Sequence, residues 1–152
     1  MKLKHIIFSS LFSVAIACGL SAASPDVKTV TISGFDTMKY SVTTVEAHPG
    51  QKMVVVLKNE GNLPKEAMGH NWILLKAGVD PLSYATAAIT AKAENYEPRS
   101  LAGKVLASIP VLGPKESAKT SFTAPSVPGT YPYLCSFPAH CQAGMRGVLV
   151  VK

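Results

Sequence analysis

Short runs of β-forming residues recur along the chain with proline and glycine between them, and this pattern restricts the fold more than any other feature. Several runs alternate apolar with polar residues, as a strand with one solvated face requires. The eight predicted strands are Val27–Ile32, Tyr40–Val45, Lys52–Asn59, His70–Lys76, Lys104–Ile109, Ser117–Thr123, Thr130–Cys135 and Arg146–Val151. The spacing predicts an all-β sandwich or barrel, with antiparallel pairing as the preferred arrangement.

One segment departs from the strand pattern. Asp80 can cap a helix, Pro81 suits the first helical position, and apolar residues then recur at helical spacing until Pro98. We predict a helix over residues 81–97 that lies against the sandwich. The remainder contains no repeat, low-complexity tract or linker, which predicts a single domain.

The N-terminal segment has the pattern of a secretory signal. Lys2 and Lys4 precede an apolar stretch over residues 6–20, and small residues that suit a processing protease follow it. The stretch is shorter than the ~20 residues that a membrane-spanning helix needs. Cleavage after Ala23 would divide the chain into a signal peptide, residues 1–23, and a soluble periplasmic domain, residues 24–152.

The charge of the chain gives a weaker indication of its partners. The formal net charge is +6, and it falls to +4 when Lys2 and Lys4 leave with the signal. The remaining basic residues are scattered along the sequence instead of forming a stripe. We therefore expect no nucleic-acid partner, although a modest positive charge could assist docking on an acidic protein.

The cysteines are more informative than the net charge, since exported proteins usually use their cysteines in disulfides. Cys135 and Cys141 would remain after cleavage, and a disulfide across that short segment is one interpretation. Cys18 lies in the sequence A-I-A-C, which weakly resembles a lipoprotein processing box without its usual leucine. A lipid anchor at Cys18 is therefore the minority alternative to cleavage after Ala23.

A thiol, an imidazole and a thioether lie between the last two predicted strands. Cys135 is followed five residues later by His140, and five residues after that by Met145. Soft sulfur donors combined with imidazole favour copper over hard cations, because they accommodate both Cu(I) and Cu(II). A trigonal site of this kind still needs a second imidazole from elsewhere in the chain.

Three other histidines could supply that imidazole. His5 lies in the predicted signal, and His48 lies in a polar turn before Pro49. His70 opens an apolar strand directly after a glycine, which makes it the best candidate. Alone, each candidate ligand would more often be an ordinary core or structural residue, and only their joint occurrence in this order favours a metal site.

Two segments resemble azurin among the cupredoxins, which are also called blue copper proteins. They are Asn62–Ile73, with the sequence NLPKEAMGHNWI, and the Cys135–Met145 loop with Gly147 and the final strand Val148–Lys152. The resemblance extends over nearly all of the mature chain but is close only in these segments. It implies an eight-stranded Greek-key β-sandwich with one inserted helix. It also implies a type 1 copper protein that carries single electrons and is not an enzyme.

The resemblance implies a ligand set for one copper ion per chain. His70, Cys135 and His140 would form a trigonal group, with Met145 as a long axial ligand and the Gly69 carbonyl as a weak donor on the opposite side.

It also implies roles for neighbouring residues. Asn71 would tie the two ligand segments together and, with a backbone N–H near Phe137, would donate hydrogen bonds to the Cys135 sulfur. Trp72 would be a buried core residue without a redox role.

An exposed apolar patch around His140 would dock redox proteins such as c-type cytochromes or reductases onto a monomer. The patch residues would be Leu63, Ala67, Met68, Phe137, Pro138, Ala139 and Ala143.

The sequence also departs from azurin. Four residues separate His140 from Met145, one more than in azurin and closer to plastocyanin and auracyanin, which predicts an altered axial bond. The disulfide that azurin has near its N-terminus has no counterpart in the mature chain. Cys141 is expected to be a buried free thiol, and an oxidation-prone residue or a rival ligand are the alternatives.

Two other functions use the same residues. Cys135 could be a nucleophile with His140 or His70 as its base, but the sequence shows no sign of an oxyanion hole or a substrate cleft. A copper carrier or store would use the same ligands without fast electron exchange. Methionine-rich or histidine-rich tracts would favour a store, whereas the five methionines are dispersed along the chain.

Overall fold

The computed structural model describes residues 27–152, so the predicted signal peptide and Cys18 lie outside the described residues. Within 27–152 no helix is long and apolar enough to cross a membrane. The same range contains nine strands: β1 Val27–Phe35, β2 Lys39–Tyr40, β3 Thr44–Ala47, β4 Lys52–Asn59, β5 His70–Leu75, β6 Val105–Leu112, β7 Ser117–Thr123, β8 Gly129–Leu134 and β9 Arg146–Val151.

The strands form two sheets that pack face to face, which confirms the predicted β-sandwich. One sheet has the order β2-β1-β4-β7 and the other has the order β3-β9-β8-β5-β6. The expectation of antiparallel pairing is wrong for two pairs, because β1 runs parallel to β4 and β3 runs parallel to β9. The chain crosses to the second sheet before β3 and returns to the first sheet after it, so strands that are not consecutive become neighbours with the same direction.

The core lies between the inner faces of the two sheets. Every residue of β5 is buried, and the strand lies between β8 and β6 in its sheet. Trp72 in this strand is 1% exposed, and its ring centroid lies 5.7 Å from that of Tyr133 and 6.1 Å from that of Phe122. Trp72 is therefore a buried core residue, as predicted.

The predicted strand Tyr40–Val45 is wrong as a single element. Its first residue ends β2 in one sheet, and its last residues belong to β3 in the other sheet. Ser41 still bonds to its own sheet through its N–H and the Ser33 carbonyl, at 2.9 Å, whereas the Thr43 carbonyl already accepts the N–H of Val148 in the second sheet. The run of β-forming residues over 40–45 gives no sign in the sequence that the chain changes sheet at residues 41–43.

The predicted helix over 81–97 is correct at its start and wrong at its end. Helix α2 spans Pro81–Ala88, and Asp80 caps it by accepting hydrogen bonds from two backbone N–H groups of the first turn. Two 3-10 turns follow, at Lys92–Glu94 and Arg99–Lys104. A four-residue helix that was not predicted, α1 at Lys65–Met68, precedes β5.

The predicted helix cannot extend to residue 97, for a structural reason. Asn95 and Tyr96 adopt left-handed backbone conformations, with φ of 55° and 57°, which a continuous right-handed helix cannot contain. Their carbonyls accept hydrogen bonds from Asn71 and Ser136 in the sandwich. Contacts with the sandwich therefore override the helical pattern of this segment.

Candidate metal centre

The four predicted side-chain ligands are brought to one end of the sandwich by adjacent strands. His70 is the first residue of β5, Cys135 directly follows β8, and His140 and Met145 lie in the loop that joins β8 to β9. All four are buried, with exposed fractions of 0% for His70, Cys135 and Met145 and 2% for His140.

Three donor atoms converge on one point. The Nδ1 atoms of His70 and His140 are 3.3 Å apart, and the Cys135 Sγ lies 3.4 Å from the His140 Nδ1. The candidate donor atoms of these three residues all lie within 4.8 Å of one another. Neutral imidazole nitrogens and a thiolate sulfur at such distances can bind the same ion, because metal–ligand bonds of about 2.0–2.3 Å place donors this far apart.

Backbone hydrogen bonds connect Met145 to both Cys135 and His140 and so close the loop. Its N–H donates to the His140 carbonyl at 2.9 Å, and its carbonyl accepts the N–H of Cys135 at 3.0 Å. The Met145 methyl also lies beside the His70 ring, because a Cβ built on Gly34 would contact both of them, at 2.8 Å and 3.0 Å. The Met145 side chain thus lies on the His70 side of the site.

Gly69 lies directly before His70 in an extended conformation, with φ of −67° and ψ of 149°. A side chain at this position would collide with Val111 and with the Lys65 carbonyl, so only glycine lets the backbone approach this closely. The carbonyls of Gly69 and Phe35 face the His70 ring and favour its protonated form.

Burial controls the protonation of the three converging groups. Loss of solvent, with a smaller contribution from the neighbouring His70, lowers the pKa of His140 to about 4. Burial also lowers the pKa of His70, against a smaller opposing effect of Asp36. Burial raises the pKa of the Cys135 thiol to about 12, although the backbone N–H groups of Asn71 and Phe137 partly oppose this by favouring the thiolate. At neutral pH the site thus holds two neutral imidazoles and a thiol.

Asn71 joins the two segments that carry the ligands, as predicted. Its Oδ1 accepts the N–H of Ser136 at 2.8 Å, and its Nδ2 donates to the Ser136 Oγ at 2.8 Å and to the Asn95 carbonyl at 3.3 Å. Ser136 Oγ in turn donates to the Tyr96 carbonyl at 2.5 Å. This chain of hydrogen bonds ties β5, the segment after β8 and the segment after α2 into one rigid support.

The predictions for the other cysteine and histidine are also confirmed. Cys135 and Cys141 are both free thiols, so the alternative of a disulfide between them is wrong. Cys141 is buried, and its Sγ contacts the Pro81 carbonyl at 3.6 Å. His48 is exposed in its turn, where its Nδ1 lies 3.1 Å from the Lys152 carbonyl.

The residues of the predicted apolar patch differ in their exposure. Leu63 is 44% exposed. Ala67 and Ala139 are also exposed, and Met68, Pro138 and Ala143 are half-buried. Phe137 differs from the rest because it is only 7% exposed. Its ring packs against Tyr96 at 5.1 Å and against His140 at 4.8 Å, so it supports the imidazole from within.

The donor set fits copper. One thiol, two imidazoles and an adjacent thioether form the combination that soft, redox-active copper prefers, and the surrounding burial excludes water from the ion. The same burial opposes the nucleophile interpretation, because a Cys135 thiol that is 0% exposed and has a raised pKa is neither accessible nor ionised at neutral pH.

A family model described as copper-binding proteins, plastocyanin/azurin family, matches residues 26–152. The chain belongs to this family. It is therefore a cupredoxin with copper as its cofactor, and it carries electrons between redox partners and is not an enzyme.

Individual cupredoxins agree with this assignment. The azurin of Pseudomonas fluorescens biotype C is 32% identical over 127 residues, which cover 81% of this chain and 97% of that protein. Auracyanin A, described as a blue copper protein of Chloroflexus aurantiacus, superimposes with a TM-score of 0.74 at 31% identity, over 84% of this chain and 100% of that one. An azurin from Methylomonas sp. strain J gives a TM-score of 0.71 at 29% identity, over 82% and 97%.

The structure adds contacts that the sequence did not reveal. Gly34 and Lys39 touch the ligand loop from β1 and β2, and Tyr96 reaches it through Ser136. A glycine or lysine at a strand end is common and carries no signal of its own. Gly34 and Lys39 lie beside the segment that ends in Met145 only because β1 and β2 pair, with Gly34 opposite Tyr40 and Phe35 opposite Lys39.

Proposed function

We propose that His70, Cys135, His140 and Met145 bind one copper ion as a type 1 site, with the Gly69 carbonyl as a weak axial donor. The observation that carries the proposal is the convergence of the His70, Cys135 and His140 donor atoms within 4.8 Å in a fully buried pocket. The position of the Met145 methyl against the His70 ring supports its axial role.

Copper supplies a one-electron couple when it is bound. The loop is closed by the Met145 and Cys135 backbone hydrogen bonds and supported by Asn71, so these residues would hold the ligands in nearly the same arrangement in both oxidation states. Little rearrangement then accompanies each electron transfer. Burial of every ligand leaves no open coordination position for a substrate, in contrast to catalytic metal centres.

Electrons enter and leave at the His140 edge. This imidazole is 2% exposed and packs against the Phe137 ring of the patch, so a partner that docks on the patch would come close to the ligand without displacing it. An apolar contact of this kind suits brief complexes, since it avoids the desolvation of charged groups. The partners are redox proteins such as c-type cytochromes or reductases, and the carrier acts as a monomer.

The protein matures by export. Residues 1–23 form a signal that is removed, and residues 24–152 form the periplasmic cupredoxin domain. The family match that begins at residue 26 supports this boundary. Mass spectrometry of protein from a periplasmic extract tests the proposal, because cleavage after Ala23 gives Ser24 as the first residue, whereas a lipid-modified Cys18 would indicate an anchored protein.

The test of the metal site is the visible absorption spectrum and electron paramagnetic resonance spectrum of the Cu(II)-loaded protein, compared with Cys135→Ser and Cys141→Ser. We expect an intense blue thiolate-to-copper band in the wild type and in Cys141→Ser, and its loss in Cys135→Ser. A colourless wild type would refute the proposal. A blue protein with weak copper affinity and slow electron self-exchange would instead favour a copper carrier or store.

A further inference from the structure

The hairpin formed by β1 and β2 contains none of the proposed ligands, yet it touches both ligand segments. Gly34 pairs with Tyr40 and Phe35 pairs with Lys39, and the three residues between the strands make the turn. Four side-chain or backbone positions of this hairpin contact the metal site or its supporting segments.

Gly34 makes the inner contact. It is buried, and a Cβ built on it would lie 2.8 Å from the Met145 Cε and 3.0 Å from the His70 Cδ2. Real Cβ atoms do not approach other atoms as closely as 2.8 Å, so the missing side chain makes room for the thioether. The backbone of β1 is thus the wall against which the Met145 methyl packs.

Lys39 makes the outer contact. Its ammonium donates a hydrogen bond to the Ala143 carbonyl, across 104 residues of sequence. It also covers Gly144, since a Cβ there would lie 2.7 Å from the Lys39 Nζ. Ala143 and Gly144 directly precede Met145, so the lysine restrains the loop at the point where it delivers the thioether.

Two further contacts anchor the hairpin to the segment that carries His70. The Asp36 Oδ2 accepts the N–H of Asn62 at 2.8 Å, and the buried Tyr40 hydroxyl donates to the Asn71 carbonyl. The hairpin is therefore fixed relative to His70 and can hold Met145 at a constant distance from it.

We propose that the β1–β2 hairpin is a clamp that positions the Met145 thioether, with Gly34 on its inner side and Lys39 on its outer side, and thereby sets the strength of the axial bond. This inference rests on the proposed function, in which Met145 is the axial ligand. The reduction potential of a site with two histidines and one cysteine depends on its axial ligand, so both residues are positioning residues for electron transfer.

Gly34→Ala tests the inner contact, with Gly103→Ala as its control because a Cβ at Gly103 meets open space. We expect Gly34→Ala to change the reduction potential and the rhombicity of the Cu(II) paramagnetic resonance spectrum, and Gly103→Ala to leave both unchanged. In a Met145→Ala background, which lacks the colliding methyl, Gly34→Ala should have a smaller effect on both, because only its close approach to the His70 ring remains. An unaltered potential in Gly34→Ala, or an effect of the same size without Met145, would overturn the inner contact.

Lys39→Gln tests the outer contact without disturbing the core, since Lys39 is exposed. Its control is Lys119→Gln, which removes the same charge from an exposed site in β7. We expect Lys39→Gln to accelerate copper release to a chelator by about fivefold, because a hydrogen bond from a charged group is lost. Equal release rates in the two variants would overturn the outer contact.

A readout without copper separates this inference from the proposed function. In metal-free protein labelled at its methionine methyl groups, Gly34→Ala should shift the Met145 methyl resonance, which is assigned by its loss in Met145→Ala. A colourless wild type would refute the proposed function. A blue wild type whose Gly34→Ala variant retains the original methyl resonance and potential would overturn the clamp alone.

Discussion

Asn71 and Ser136 are joined by two hydrogen bonds of 2.8 Å, one to the Ser136 backbone N–H and one to its hydroxyl. They are 65 residues apart in sequence, and each is the immediate neighbour of a proposed ligand, His70 in one case and Cys135 in the other. The pair therefore fixes the distance between the imidazole and the thiol before any metal binds.

Removal of this link should destabilise the metal-free protein. Asn71→Ala leaves the buried Ser136 N–H without its acceptor, which costs on the order of 2 kcal/mol of the free energy of unfolding. Ser136→Ala retains the hydrogen bond between the Asn71 side chain and the backbone N–H, and should cost less. Urea unfolding followed by the fluorescence of Trp72 measures both. An equal or greater loss in Ser136→Ala would contradict the importance of the backbone hydrogen bond.

Copper binding should release about one proton at neutral pH. Burial keeps His140 neutral, with its pKa lowered to about 4, and lowers the pKa of His70, while the Cys135 thiol keeps its proton because its pKa is raised to about 12. Only the thiol then loses a proton on binding. The copper affinity should therefore rise about tenfold for each pH unit above neutrality.

Calorimetric titration of Cu(II) in buffers of different ionisation enthalpy counts the released protons. A release of two or more at pH 7 would mean that a histidine of the metal-free site is charged, against the effect of its burial.

The metal-free protein should also lose stability in acid. The folded state lowers the pKa of His140 to about 4 from an ordinary value of 6.5, so the unfolded chain binds a proton between these values and the folded chain does not. The free energy of unfolding should fall as the pH decreases through this range. His140→Gln should reduce the fall, and an unchanged pH dependence in that variant would contradict the assignment.

A positive charge in the apolar patch should slow electron transfer. In Met68→Lys two carriers that meet through the patch bring like charges together, which disfavours their encounter. Electron self-exchange should fall while the visible spectrum of the copper site stays the same. Val127→Lys is the control, because Val127 is 66% exposed in the turn before β8, at the opposite end of that strand from Cys135. Equal self-exchange rates in both variants would remove the docking role of the patch.

Cys141 should be dispensable for the metal. Its side chain points to the Pro81 carbonyl at the start of α2, so Cys141→Ala should keep the blue band and lower the free energy of unfolding by about 1–2 kcal/mol through the loss of a buried sulfur. Absorption spectra and urea unfolding measure the two effects. A changed copper spectrum would instead identify Cys141 as a competing ligand.

The sequence was sufficient for the features that depend on local pattern. The alternation over Val27–Ile32 in β1, the Asp80 cap and the spacing of Cys135, His140 and Met145 are each read within a few residues. His70 was the best candidate for the second imidazole because it opens an apolar strand after a glycine, and the resemblance to cupredoxins then implied the complete ligand set.

Features that depend on distant contacts were missed. The parallel pairing of β1 with β4 and the division of Tyr40–Val45 between two sheets follow from the path of the whole chain. The burial of Phe137 depends on Tyr96, whose left-handed backbone ends a pattern that is helical in the sequence. The closeness of Gly34 to Met145 likewise exists only after the sandwich has formed.

The distribution of the ligands along the chain has a consequence for the order of assembly. Cys135, His140 and Met145 lie within one short loop, so a chain that has formed only its last two strands already presents three donors. His70 is 70 residues from His140, and it joins them only when β5 pairs with β8. Because contacts of large sequence separation form late, tight copper binding should appear only near the end of folding. A newly exported chain would thus develop the blue absorption of its copper site in the last step of folding.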